Sequence, residues 1–133
     1  RIARRIVEER KAGPIRTTKQ LADIVSRASR RAGRTHPATK TFQALRIAVN
    51  DELSELERGL SLSVERLACH GRLAVISYHS LEDRTVKNLF KSLRDQETIE
   101  WRHKKPIVPA RSEVLRNPSA RSAKLRIVER ITT

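Results

Sequence analysis

Apolar positions recur at helical spacing over the first sixty residues and gather into strand-like runs only beyond residue 71. Residues 1–11 (RIARRIVEERK) put Ile2, Ile6 and Val7 on one side and charges on the other, which predicts a helix. No capping residue precedes Arg1, and Gly13-Pro14 stops the pattern. Thr17 and Gln20 form a capping-box pair, followed by Leu21, Ile24, Val25 and Ala28 at helical spacing. The polar, basic stretch Ser29–Lys40 holds Gly33 and Pro37 and is expected to be a loop and a domain boundary. A long helix is then expected from about Ala38 to Leu60, with Phe42, Leu45, Val49, Leu53, Leu56 and Leu60 on one stripe. Arg46 lies at the border of that stripe and Asn50 just beyond it. Either Arg46 pairs with a nearby carboxylate, or both polar groups point into a cleft.

After a second apolar patch (Leu62, Val64, Leu67) and a turn at Gly71, the run Leu73–Tyr78 is mostly apolar without alternation. That predicts a strand covered on both faces in a parallel sheet. Ser80 and Asp83 resemble a cap for a following helix whose buried side is Val86, Leu89, Phe90 and Leu93. Helix, strand, sharp turn and helix in succession mean α/β. Two further strands are expected, around Ile99–Val108 and over Ala123–Ile131. In the latter, Leu125, Ile127 and more weakly Glu129 alternate with Arg126, Val128 and Arg130; Asn117-Pro118 supplies a turn between the two strands.

Composition narrows the function. At 133 residues the chain is the size of one ordinary domain, and a single cysteine, Cys69, removes any internal disulfide and fits a reducing compartment. No run approaches the ~20 apolar residues of a membrane span. Methionine is absent, so the sequence is expected to be a piece of something larger. The net charge of +14 is uneven: residues 1–40 and 84–133 are strongly basic, whereas 41–83 are mildly acidic. Such flanks favour a polyanion, most naturally nucleic acid, as partner. With four aromatics (Phe42, Tyr78, Phe90, Trp101), a base-stacking single-strand binder of the RNA-recognition type is disfavoured.

Ligands of open α/β sheets bind beyond the carboxyl ends of the strands. Here that place is Ser77-Tyr78-His79-Ser80-Leu81-Glu82-Asp83-Arg84. The plain structural account has Ser80 capping the helix, Asp83 on its positive end and His79 as a polar strand terminus. The functional account makes His79, Ser80, Glu82, Asp83 and Arg84, with Asn50, substrate-pocket candidates. There is no G-x-S-x-G elbow, no metal-ligand spacing, no P-loop and no G-x-G-x-x-G. Residues alone reach a basic α/β protein acting on nucleic acid.

Four segments take the reading further: HPATKTFQALRIAVNDELSELERGL, GRLAVISYHSLEDRTVK, KKPIVPA and NPSARSAKLRIVER. In this order they closely resemble the ribosomal RNA small subunit methyltransferase H family, S-adenosylmethionine-dependent enzymes that methylate N4 of a cytidine in bacterial 16S rRNA. RIARRIVEERKAGPIRTTKQLADIV is similar to the end of that family's helical insertion. The resemblance implies an α/β fold, the C-terminal half of a Rossmann-like methyltransferase core (36–133) preceded by part of an inserted helical domain (1–35). It also implies that the S-adenosyl-L-methionine loop lies upstream of Arg1, so that no cofactor-binding residue is expected in this chain and this piece alone is inactive. Arg30, Arg31, Arg34, Lys40, Arg121 and Lys124 become candidates for rRNA phosphates. The expected partner is 16S rRNA in the small ribosomal subunit, with no membrane, a cytoplasmic location and self-association of the piece. A basic RNA-binding or assembly module without catalysis is the alternative. Two departures stand out: Tyr78 replaces the family's usual Phe, and His70 replaces the first glycine of a Gly-Gly turn, leaving Gly71 to supply positive φ.

Overall fold

The computed structural model describes residues 1–29 and 36–132. They fall into two compact units, Arg1–Glu52 and Leu53–Thr133. In the first, α1 (Ile2–Ala12) and α2 (Thr18–Ala28) pack together, and α3 spans Thr39–Asn50. The expected capping box opens α2: Thr17 Oγ1 accepts from the Gln20 amide, and Gln20 Oε1 accepts from the Thr17 amide. Ile24 and Val25 are buried, and Glu9 pairs with Arg5 (2.8 Å) and Arg27 (3.7 Å).

The long helix expected over 38–60 is two helices. Asp51 adopts the left-handed conformation (φ 48°) and its amide donates to Ile47 O, ending α3. The next helix, α4, runs Glu52–Arg66. Aspartate is one of the few residues that enter this conformation at modest cost. Glu52 ties the corner by accepting from Arg46 (2.7 Å) and from the Asn50 amide (3.3 Å). The apolar stripe is therefore not one surface: Val49 is 81% exposed, whereas Leu60 and Val64 are buried.

The second unit continues with β1 (Arg72–Ser77), α5 (Ser80–Asp95), β2 (Ile99–Trp101), α6 (Arg111–Arg116), a 3₁₀ turn (Pro118–Ser122) and β3 (Lys124–Arg130). The sheet order is β1-β3-β2, with β3 antiparallel to both neighbours. β1 and β2 are thus parallel to each other and joined through α5, the βαβ relation of an α/β protein. Leu60 and Val64 of α4, Val86 and Phe90 of α5, Ile99 and Val128 form the core, with Leu73, Val75 and Trp101 packed around it. Removing a side chain such as Phe90, which is wholly buried, costs ~3–5 kcal/mol in comparable cores.

Two strand expectations change. Leu73–Tyr78 pairs antiparallel, not within a parallel ladder, and only one of its faces is covered: Leu73, Val75 and Ser77 turn inward, while Ile76 is 56% exposed. The strand expected over Ile99–Val108 is paired only at Ile99–Trp101, with one further bridge from Ile107 to Leu125. The intervening RHKKP carries charge, and Pro106 has no amide to donate. In β3, for which the alternation assigned no inward face, Arg126 and Val128 are the buried residues.

The β1 entry also differs. His70, not Gly71, takes positive φ (64°). Its amide donates to Arg130 O (2.8 Å), and its ring lies 3.3 Å from Glu129. Gly71 is required for space instead, since a Cβ there would sit 2.7 Å from Ala68 O. Arg130 donates to the carbonyls of Val64 and Leu67 at the end of α4, where a cation also suits the helix dipole. We expect Gly71→Ala to lower stability by about 1–3 kcal/mol, and His70→Gly to change it by less than about 1 kcal/mol. Urea unfolding of the two variants checks this; the reverse ranking would return the glycine requirement to φ.

Candidate functional site

Ser77, the last residue of β1, stands opposite Lys124, the first of β3. One end of the sheet thereby collects the β1–α5 turn, the start of β3 and the 3₁₀ turn carrying Arg121. The Ile107–Leu125 bridge brings the 107–109 segment to the same end. There Ile76, Ile107, Val108, Pro109 and Leu125 line a cleft of about 160 Å³, with Glu113 its only charged wall. That volume is below the ~300–1,000 Å³ of ordinary ligand pockets, so the cleft can form one wall of a site.

The turn is shaped by its own residues. His79, not Ser80, is the N-cap of α5: its Nδ1 accepts from the Glu82 amide (3.2 Å). Glu82 Oε2 accepts in return from the amides of Tyr78 (3.0 Å) and His79 (3.3 Å). Because Nδ1 is an acceptor, the proton of the neutral ring belongs on Nε2. Nε2 lies 2.9 Å from Glu82 Oε1 but out of hydrogen-bonding alignment, and among the described residues this buried nitrogen has no hydrogen-bond partner. Tyr78, Ser80 and Arg84 of the same segment are exposed.

Asp83 faces inward. Its Oδ2 accepts from Lys124 Nζ (2.9 Å) and its Oδ1 from Arg126 Nε (2.8 Å), with Arg126 itself buried. Burial pushes the Asp83 carboxyl up, but the hydrogen bonds and charges of Arg126 and Lys124 outweigh it and hold the group below its ordinary range. Lys124, expected on phosphate, gives one of its N–H groups to this carboxylate. At the far end of β3, the Arg72 hydrogen bond, opposed by burial, holds the Glu129 carboxyl low.

The other candidates separate. Asn50 donates to Glu52 and Lys40 is exposed in the first turn of α3; both belong to the first unit, Arg1–Glu52. Arg121 is exposed at the sheet end described above. Arg30, Arg31 and Arg34 lie outside the described residues. Arg126 was the residue missed; its clue was an arginine within a strand, 43 positions from the carboxylate it meets. With the Glu82 amide of α5 taken by the His79 ring and no glycine in the turn, the residues here do not fit an S-adenosylmethionine cradle. No helix among the described residues is long and apolar enough to cross a membrane.

Residues 1–131 match the MraW methylase family. Among curated proteins the chain is similar to the "Ribosomal RNA small subunit methyltransferase H" of Sulfurihydrogenibium sp., 52% identical over 98% of this chain and 46% of that protein. The protein of the same name from Cyanothece sp. is 55% identical over 98% of this chain and 43% of its own length. That of Borreliella afzelii is 50% identical over 98% and 44%. The chain therefore spans less than half the length of these relatives.

Replacing Asp83 by Asn leaves Arg126 buried without its counter-charge, which costs roughly 3–5 kcal/mol at neutral pH. Because the folded carboxyl is held below its unfolded value of ~3.9, its contribution is present above that value and lost as pH falls through the folded one. The stability gap between wild type and Asp83→Asn should accordingly close on acidification. Denaturant melts from neutral to acid pH check this, and a gap independent of pH contradicts it.

Proposed function

Since the chain belongs to the MraW methylase family, we propose that it is part of an S-adenosyl-L-methionine-dependent enzyme that methylates N4 of a cytidine in 16S rRNA of the small ribosomal subunit. What supports this at the level of residues is the convergence of the His79 turn, the Ile107–Pro109 segment and the Arg121 turn at one sheet end. S-adenosylmethionine supplies the methyl group when bound, and we place its binding loop in residues outside these 133. Residues 1–35 are assigned to the family's helical insertion and 36–133 to its catalytic core. The compact units divide at Glu52 and group α3 with the helical side. A cytoplasmic location follows from the substrate.

The chemical demand is specific. The amino nitrogen of cytosine is a poor nucleophile because its lone pair is delocalised into the ring, so the enzyme gains most by alignment and by polar groups that engage the N–H protons. The base must first leave its stack. In this reading the exposed Tyr78, Ser80 and Arg84 and the His79 ring form the pocket wall, Glu82 and Asp83 hold it in shape, and Arg121 meets a phosphate. Arg30, Arg31, Arg34 and Lys40 remain proposed phosphate contacts of the first unit. The alternative, a non-catalytic RNA-binding module, draws on the net charge of +14.

In the complete enzyme His79→Asn separates these readings. Asparagine is an efficient N-cap and keeps α5 intact, whereas alanine costs about 1 kcal/mol. A pocket role predicts that His79→Asn keeps stability and RNA affinity but lowers single-turnover methylation by tenfold or more, ~1.4 kcal/mol of barrier. A purely structural His79 predicts unchanged turnover. Arg121→Ala should weaken RNA binding and flatten its salt dependence by about one phosphate contact. The 133-residue chain alone should transfer no labelled methyl group to small-subunit RNA; transfer would place the cofactor site within it.

Among the described residues β1 stands at the edge of the sheet, and Ile76, Ile107 and Val108 are exposed; both support self-association of the isolated chain. Sedimentation at micromolar concentration should show a dimer or larger species. A stable monomer argues against it.

A further inference from the structure

α5 carries a second feature, away from the His79 end. Lys87, Lys91 and Arg94 follow one another at i, i+4 and i+7, a stripe rotated by one residue from the buried Val86 and Phe90. Together with Glu100 and Trp101 of β2, Lys104 and Arg126 they line a cleft of about 370 Å³, within the range of small-ligand sites. Five cations thus face one carboxylate. Among the described residues Lys87, Lys91 and Lys104 enter no ion pair, and Arg94 pairs only with its neighbour Asp95. The half-buried indole is held in place: Phe90 meets it edge-on at 5.7 Å, and the Arg126 guanidinium lies 5.8 Å from the ring centroid.

We propose that this cleft binds an unpaired nucleotide of an RNA strand, its base against Trp101 and its flanking phosphates along Lys87, Lys91, Arg94 and Lys104. The proposal rests on the reading of the protein as acting on RNA and adds a contact that reading does not contain. The chemistry selects the ligand. A planar indole beside a row of cations, of which Lys87, Lys91 and Lys104 enter no ion pair among the described residues, suits a base joined to a row of phosphates. A groove for an apolar peptide would need more than one apolar wall, and Trp101 is the only one here. Trp101 stands opposite Val128, four residues along β3 from Lys124. At ~3.3 Å per residue the cleft is about 13 Å from the His79 end, so it engages RNA flanking the reacting cytidine rather than the cytidine itself. An inserted base is thereby fixed in register before the target is presented.

Trp101 is the only tryptophan of the chain, so its fluorescence reports on this cleft alone. The test titrates the 133-residue chain with a twelve-nucleotide single-stranded oligoribonucleotide, a duplex of the same length and an oligoglutamate. Indole emission is followed alongside anisotropy of labelled RNA at several salt concentrations. Single-stranded RNA should change the indole emission, and the duplex and oligoglutamate should not. Lys87→Ala with Lys91→Ala, both exposed, should weaken binding by about tenfold and lower the slope of log K against log salt by ~1.4, two contacts at ~0.7 each. Unchanged affinity in the double variant, or RNA binding without a change in emission, overturns the cleft assignment and leaves the RNA reading standing. Equal binding and an equal emission change with oligoglutamate overturns it in favour of a general polyanion site. No RNA binding by anisotropy overturns both.

Discussion

The structure turns on one buried carboxylate. Asp83 sits in the first turn of α5 and is met by Arg126 and Lys124 from β3. Neither Asp83 nor Arg126 could be taken from water alone, since each carries a desolvation cost of several kcal/mol, offset for Arg126 by Asp83 and for Asp83 by Arg126 with Lys124. The pair therefore forces a choice on β3: the face bearing Arg126 turns toward α5, and Leu125 and Ile127 turn away. That choice sets Lys124 beside Ser77, where β1 gives way to the His79 turn. Arg126 also reaches the Trp101 ring, so one guanidinium joins both ends of the functional surface.

The capping box works on the same few residues. Glu82 takes the amides of Tyr78 and His79, and His79 takes that of Glu82, so the turn keeps its shape without a bound ligand. A site that must receive an unstacked base gains from such rigidity, because any misplacement falls directly on the reacting geometry. In the proposed function, RNA is held by the exposed cations along α5.

Much of this was legible in the residues. The capping box at Thr17, the strand at Leu73, the helix behind His79 and the strand over 124–130 all follow from periodicity and turn chemistry. The break at Asp51 did not, because the apolar stripe runs through it unaltered while its two halves serve different surroundings. The inward face of β3 was not legible for a related reason: alternation alone does not choose between its faces, and what turns Arg126 inward is a carboxylate distant in sequence. His79 was passed over as a cap because Ser80 and Asp83 imitate the common pattern one residue later. The lysine stripe of α5 was visible at i, i+4 and i+7, but its meaning depends on Trp101, which only the sheet brings alongside.

The central claim is that Asp83 and Arg126 act as one unit. A double-mutant cycle of Asp83→Asn and Arg126→Met, read by urea unfolding at neutral pH, measures it directly. The account predicts a coupling of about 2 kcal/mol or more, with the double variant more stable than the sum of the single losses implies. Losses that add to within ~0.5 kcal/mol would mean the two side chains are neighbours without being partners, and the orientation of β3 would need another cause.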